Sequence, residues 1–263
     1  MIDKKNTKLV ILAGGLGSRL SEETHIIPKP LIEIGEMPII WHIMKYYSSY
    51  GINNFIICCG YKGYLIKDYF ANYFIRNSDV TIDLENDNVE IHKKSSVNWK
   101  VTLVDTGLET KTAGRIKKIE KFLHDDEVFC LTYGDGLSNV NIDKLINFHI
   151  DKNKTITLTA VKKPGRYGSL SITGDEVINF MEKPLGDNSY INGGFFIANK
   201  NLINHIKNDS DVLEESIFKK LSTNNQIAAF KHNGFWQSMD TLHEKNLLNN
   251  LWNSNKAPWK IWK

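Results

Sequence analysis

The feature that most constrains this chain is an apolar run that breaks off in glycine. Leu9-Val10-Ile11-Leu12-Ala13 leads directly into Gly14-Gly15-Leu16-Gly17-Ser18-Arg19. A β-prone run with no polar face has nothing to offer solvent, so it reads as a strand covered on both sides, as in parallel sheets. The covering helices follow in alternation. Apolar residues recur at helical spacing from Ile39 to Tyr50, Asn54 to Cys59 is a second buried strand, and Tyr64 to Phe74 is helical again. Strand, helix, strand, helix implies right-handed crossovers and a largely parallel sheet. Helices are also expected over Arg115 to Leu123 and Ile142 to Lys152, with buried strands over Val128 to Thr132 and Ile156 to Val161. Val80 to Val104 alternates less regularly and fits a pair of strands. From Arg166 to Ala198, short β-like runs split by Gly and Pro read as hairpins laid beside the parallel sheet. Late helices are expected over Val212 to Leu221 and Leu242 to Trp252. No repeat or linker interrupts the 263 residues, and 41% of them are hydrophobic, enough for a substantial core. The chain therefore reads as one α/β domain over 1–263, with hairpins at about 162–200 and a C-terminal helical segment at about 240–263.

The glycines after the first strand let backbone N–H groups approach phosphate oxygens and form an anion-binding nest. Arg19 adds a forked, permanently charged contact. A dinucleotide-binding turn would carry a third glycine, absent here, and Arg19 sits where its helix should begin; a P-loop would continue with Gly-Lys-Ser/Thr, which does not follow. An oxidoreductase of the dinucleotide-binding kind would also need an acidic ribose partner about twenty residues on, and Glu33 lies near but in a Pro-rich segment. Lys29 sits between Pro28 and Pro30, which hold it on a stiff, non-helical segment. A rigidly presented ammonium beside a phosphate loop suits phosphoryl transfer. Asp135 follows the buried Val128–Thr132 strand, at the strand end where open parallel sheets bind ligands, and is suited to hold Mg²⁺ beside phosphates. Asp240 offers a second carboxylate, although Asp before a helix is also a common N-cap. Three polar groups in the strand-rich region, Arg166-Tyr167-Gly168, Glu182-Lys183-Pro184 and Ile191-Asn192-Gly193-Gly194-Phe195, read from spacing alone as turns.

Charge and cysteines remove other classes. With 33 basic and 30 acidic residues, the net charge of +3 is too mild for wrapping nucleic acid. Cys58, Cys59 and Cys130 form neither a disulfide framework nor a metal cluster and read as packing residues in a reducing compartment. No segment approaches the ~20 apolar residues of a membrane span, so a cytoplasmic protein without membrane contact is expected.

Taken together and in order, Leu-Ala-Gly-Gly-Leu-Gly-Ser-Arg-Leu, Pro-Lys-Pro, Tyr-Gly-Asp-Gly, Arg-Tyr-Gly, Glu-Lys-Pro, Ile-Asn-Gly-Gly-Phe-Phe and Met-Asp-Thr resemble the sugar-phosphate nucleotidyltransferase family over essentially the whole chain. Ser21 to Thr24, Trp41 to Met44, Ile57 to Tyr64 and Thr102 to Gly107 resemble its cytidylyl branch. The resemblance implies a nucleotide-diphospho-sugar transferase fold, Rossmann-like, with a mixed, mainly parallel sheet. It implies CTP and a sugar 1-phosphate, best matched by glucose 1-phosphate, as substrates and Mg²⁺ as cofactor. It also implies that Leu12, Ala13, Gly14, Gly15, Gly17, Ser18, Arg19, Lys29, Thr110, Arg115 and Asp135 bind the nucleotide, with Arg19 and Lys29 catalytic. Asp135 and Asp240 would hold the metal, and Gly168, Glu182, Lys183 and Asn192 the sugar phosphate. Ser18 replaces the usual Thr, Ile27 replaces a frequent Lys, and Leu108 to Ala113 departs from the branch pattern. A different phosphorylated acceptor and a catalytically silent sugar-nucleotide binder stay open as alternatives. A homo-oligomer is expected, with Trp259 and Trp262 as exposed candidates for a subunit contact.

Overall fold

Seven strands hydrogen-bond into one sheet: β1 (Lys8–Ala13), β2 (Asn54–Cys59), β3 (Lys100–Asp105), β4 (Val128–Tyr133), β5 (Ile156–Val161), β6 (Ile191–Asn199) and β7 (Ile227–His232). The computed structural model describes residues 4–92, 97–123, 127–162, 169–173, 176–181 and 190–262. The strands lie in the order β7-β5-β6-β4-β1-β2-β3. All pairings are parallel except those of β6, which runs against both β4 and β5. From β1 the chain first builds outward through β2 to β3, then returns to place β4 on the other side of β1. That reversal opens a crevice beyond the carboxyl ends of β1 and β4, the place where open α/β sheets bind ligands.

Both faces of the sheet are covered, as the unbroken apolar runs require. Leu9, Ile11, Ala13, Phe55, Ile57 and Cys59 face one core, which includes residues of helix α1 (Ile39–Ser48). Val10, Leu12, Ile56 and Cys58 face the other, with residues of helix α3 (Thr112–Lys118), which follows α2 (Gly63–Ala71). Strand alternation thus sends Cys58 and Cys59 to opposite cores, and all three cysteines are buried and free. Helices α4 (Ile142–Lys152) and α5 (Leu242–Asn253) complete the frame. No helix among the described residues is long and apolar enough to cross a membrane.

Three expectations are corrected. The stretch Val80 to Val104 holds more than a pair of strands: Val80–Asp83 and Asn88–Ile91 form a separate ribbon, and β3 then joins the main sheet as its edge. The hairpin region also divides. Ser169–Thr173 and Glu176–Met181 pair as a hairpin, but β6 enters the centre of the main sheet. Its Gly193-Gly194 is not a turn. A Cβ on Gly193 would lie 2.8 Å from Val161 Cγ1, and Gly194 has φ +76 with Tyr133 Cδ2 2.6 Å from the corresponding position. Glycine is there because neighbouring strands crowd the backbone beside a register shift at Leu158/Ala160. Finally, Trp259 is fully buried (0% exposed), stacked on Phe235 with ring centroids 5.6 Å apart. Trp262 is half-buried and packs on Trp41, so the terminal tryptophans bind the tail to α1. The indole N–H of Trp259 meets Nδ1 of fully buried His42 at 3.4 Å, and His42 Nε2 lies 2.8 Å from the Ile34 carbonyl. With Nδ1 accepting and Nε2 donating, the imidazole is neutral; burial pushes its pKa down to about 4.

Candidate active site

The crevice is built first by the loop after β1. Gly17 holds φ +66, which turns the chain into a short 3₁₀ helix at Ser18–Leu20 and leaves Arg19 exposed at the rim. Gly14 is glycine for another reason: a Cβ there would lie 2.1 Å from Arg115 Nη1. Gly15 meets nothing within 4 Å and opens onto the crevice. Opposite, the Gly134 N–H donates to the Leu12 carbonyl at 3.0 Å, so the loop after β4 is bound to the end of β1.

Asp135 and Asp240 meet through a local device. Gly136–Ser138 pairs antiparallel with Trp236–Ser238, and the Met239 N–H donates to the Asp135 carbonyl at 2.8 Å. The helix after Asp240 is capped by Thr241 in a capping box with Glu244, whose carboxylate also accepts the Asp240 N–H at 2.8 Å. Asp240 is therefore not the cap, and its carboxylate is left for the crevice. There Lys29, on a 3₁₀ turn set by Pro28 and Pro30, places its ammonium 2.7 Å from Asp135 Oδ2 and 2.6 Å from Asp240 Oδ1. Arg19 Nη1 lies 3.0 Å from Asp240 Oδ2. Burial pulls the Lys29 pKa down, but Asp135, then Asp240, outweigh it and hold the ammonium above its usual range. Burial likewise raises Asp240, and Lys29 and Arg19 reverse the effect, leaving its carboxyl below the usual range. The ammonium occupies the position of a cation between two hard oxygen donors. Two carboxylates with room for phosphate oxygens is the way Mg²⁺ is commonly held in nucleotide sites.

Arg115 is a different kind of cation. It is 4% exposed and donates to the carbonyls of Gly14 (3.0 Å), Cys59 (3.2 Å), Gly107 (2.8 Å) and Leu108 (3.2 Å) and to Thr106 Oγ1 (2.6 Å). No carboxylate pairs with it among these contacts; burial lowers its pKa. It ties the glycine loop, the end of β2 and the 107–108 loop to one point. Thr110 is buried in the same loop and accepts from Lys118 Nζ at 3.2 Å.

The residues gather into two adjoining cavities. One, of about 440 Å³, is lined by Leu12, Ala13, Gly14, Gly15, Gly17, Ser18, Arg19, Lys29, Thr110, Arg115, Asp135 and Asp240. The other, of about 400 Å³, shares Arg19, Tyr133, Asp135 and Asp240 and adds Asn192, Trp236 and Glu214. Asn192 donates to the Tyr133 hydroxyl at 3.3 Å and accepts the Gly194 N–H at 2.9 Å. Gly168, Glu182 and Lys183 lie outside the described residues. Glu214 and Trp236 were not foreseen. Glu214 stands beside Glu215 in a short acidic stretch, with no sequence signal separating the two; Trp236 opens the short strand that precedes Met239-Asp240-Thr241, without chemistry of its own to mark it.

A family model described as nucleotidyl transferase matches residues 8–247. The chain belongs to the nucleotidyl transferase family. It is 52% identical over 255 residues to the glucose-1-phosphate cytidylyltransferase of Salmonella typhimurium, covering 97% of this chain and 99% of that one. It is 41% identical over 258 residues to the probable glucose-1-phosphate cytidylyltransferase of Bacillus subtilis, covering 97% and 100%. Among solved structures, HddC from Yersinia pseudotuberculosis superposes with a TM-score of 0.68 at 25% identity, covering 94% of this chain and 99% of that one. A nucleotidyl transferase needs room for two phosphorylated substrates that meet at a phosphorus atom. Two cavities joined along Arg19, Asp135 and Asp240 provide that arrangement.

Proposed function

We propose that this nucleotidyl transferase moves CMP from CTP to α-D-glucose 1-phosphate, giving CDP-glucose and pyrophosphate. The observation that carries the reading is the junction of the two cavities, where a pair of carboxylates and two cations share one boundary. The names of the 52% and 41% identical relatives support the substrates. The larger cavity takes the triphosphate against the amides of the 14–19 loop, and the smaller takes the sugar phosphate.

A phosphate oxygen of the sugar 1-phosphate attacks the α-phosphorus in line. A new P–O bond forms to the sugar phosphate, the bond between the α-phosphorus and its bridging oxygen breaks, and pyrophosphate leaves with that electron pair. With a second pKa near ~6, the nucleophile is already largely a dianion, so no general base is required. The chain's work is to bring anions together and hold them in line. Arg19 supplies a forked contact, Lys29 a point charge, and Arg115 acts through the loops it pins rather than by reaching the ligand. Asp135 and Asp240 would hold Mg²⁺, which supplies charge neutralisation on the phosphates when bound. Three buried, unpaired thiols support a reducing, cytoplasmic setting.

Pyrophosphate release with Mg²⁺, across the common nucleoside triphosphates and a panel of sugar 1-phosphates, tests the reading. Release with CTP and glucose 1-phosphate is expected. Release with CTP and another acceptor replaces the sugar, and no release with any pair overturns transfer altogether.

A further inference from the structure

The acceptor cavity contains a carboxylate that the metal pair does not explain. Leu213–Phe218 forms a π-helix, a wide turn often found at functional sites, anchored by fully buried Leu213 (0% exposed) and Ile217 (2%). That anchoring turns Glu214 into the wall of the smaller cavity, where it is the one carboxylate besides Asp135 and Asp240 among the described lining residues. One oxygen accepts the Tyr133 hydroxyl, and the other accepts the Thr112 hydroxyl at 3.0 Å. Thr112 in turn accepts the Leu213 N–H at 2.8 Å, which directs its own proton to Glu214. An ionised carboxylate has about four acceptor positions, so two donors leave capacity for more. An acceptor-only group in a sugar-sized cavity takes hydrogen bonds from neutral hydroxyls and repels a phosphate. Arg19, lining the same cavity, does the reverse.

We infer that Glu214 is a specificity-determining residue for the acceptor, receiving a sugar hydroxyl and so setting which end of the sugar phosphate faces the junction. Tyr133 and Thr112 hold its carboxylate in place, and through Thr112 it adjoins the nucleotide loop without touching the nucleotide. The inference rests on the transfer reaction proposed above. It is tested by Glu214→Gln, which keeps size and shape but replaces one acceptor oxygen with a donor. Kinetics are measured with glucose 1-phosphate and its singly deoxygenated analogues.

In the unmodified enzyme, one analogue is expected to lose at least ~10-fold in kcat/KM, the scale of a hydrogen bond to a charged group. In Glu214→Gln, KM for glucose 1-phosphate rises by a similar factor, KM for CTP moves by less than ~3-fold, and the penalty for that analogue disappears. Equal rises in both KM values with every analogue penalty intact would reduce Glu214 to a brace for the nucleotide loop and overturn the inference. CTP affinity by calorimetry and the thermal midpoint identify a variant that fails to fold; Glu214→Asp, expected to restore part of the analogue penalty, then decides. Absence of turnover in the unmodified enzyme would remove the transfer reaction instead, a separate outcome.

Discussion

Lys29 and Arg115 are both buried cations on the larger cavity, yet they are held in opposite ways. Lys29 lies between two carboxylates at 2.7 and 2.6 Å. Arg115 lies among five neutral oxygens drawn from the glycine loop, the end of β2 and the 106–108 turn. A charge paired with carboxylates that also suit a metal can give up those contacts to a ligand. A guanidinium that joins three segments cannot leave without parting them: the Gly14 and Cys59 carbonyls keep the N–H groups of Tyr61 and Thr106, but the Gly107 and Leu108 carbonyls lose the donor that ties their turn to the glycine loop. Position on a cavity therefore does not make a cation a ligand-binding group; what matters is whether its own hydrogen bonds hold separate segments of the fold together.

Arg115→Ala probes the framework side and carries the largest expected effect. Losing five hydrogen bonds from a buried guanidinium should cost about 3–5 kcal/mol of stability in chemical denaturation, with CTP affinity lost alongside. Arg115→Lys should not restore it, because one ammonium cannot span the fork. A stable variant that merely fails to bind CTP would move Arg115 to the ligand side of the comparison.

His42 adds a third buried nitrogen base, this one neutral. Its folded pKa of about 4 lies below its ordinary 6.5. The unfolded chain takes up the proton first, so stability is fully present above about pH 6.5 and is lost as pH falls towards 4. The whole shift corresponds to about 3 kcal/mol. Denaturation midpoints measured between pH 7 and 4, with His42→Gln as the reference, should show this slope in the unmodified chain and less of it in the variant.

Lys29→Ala should do the reverse of Arg115→Ala. In the presence of Mg²⁺, stability is expected to change by about 1 kcal/mol or less, while kcat falls by ~10²-fold or more, about 2.7 kcal/mol of barrier. A normal rate in the folded variant would take Lys29 out of the reaction and remove the contrast with Arg115.

The three loop glycines show how far the motif was legible. Gly14-Gly15-Leu16-Gly17 reads as a phosphate nest, but the structure assigns its glycines three separate reasons. Gly17 supplies a positive φ, Gly14 makes room for Arg115, and Gly15 faces open space. Only the first is a property of local backbone. Gly193-Gly194 was misread for the same cause: glycine looks alike in a turn and in a crowded strand, and the crowding comes from Val161 and Tyr133, distant in sequence.

The sequence by itself determined what depends on neighbouring residues. Strand and helix periodicity located β1, β2, β4, β5 and α4, the continuous apolar runs demanded a sheet covered on both faces, and the ordered motifs identified the family. Tertiary structure alone decided what depends on pairing across the chain. It inserted β6 antiparallel between β4 and β5, freed Asp240 by capping the next helix with Thr241, and brought Asp240 to Asp135 across the Gly136–Ser138 ribbon. It also chose Glu214 over Glu215 by the direction in which a π-helix turns. Local periodicity follows from the fixed geometry of one backbone segment, whereas register and approach follow from which distant surfaces bury each other, and no single segment contains that information.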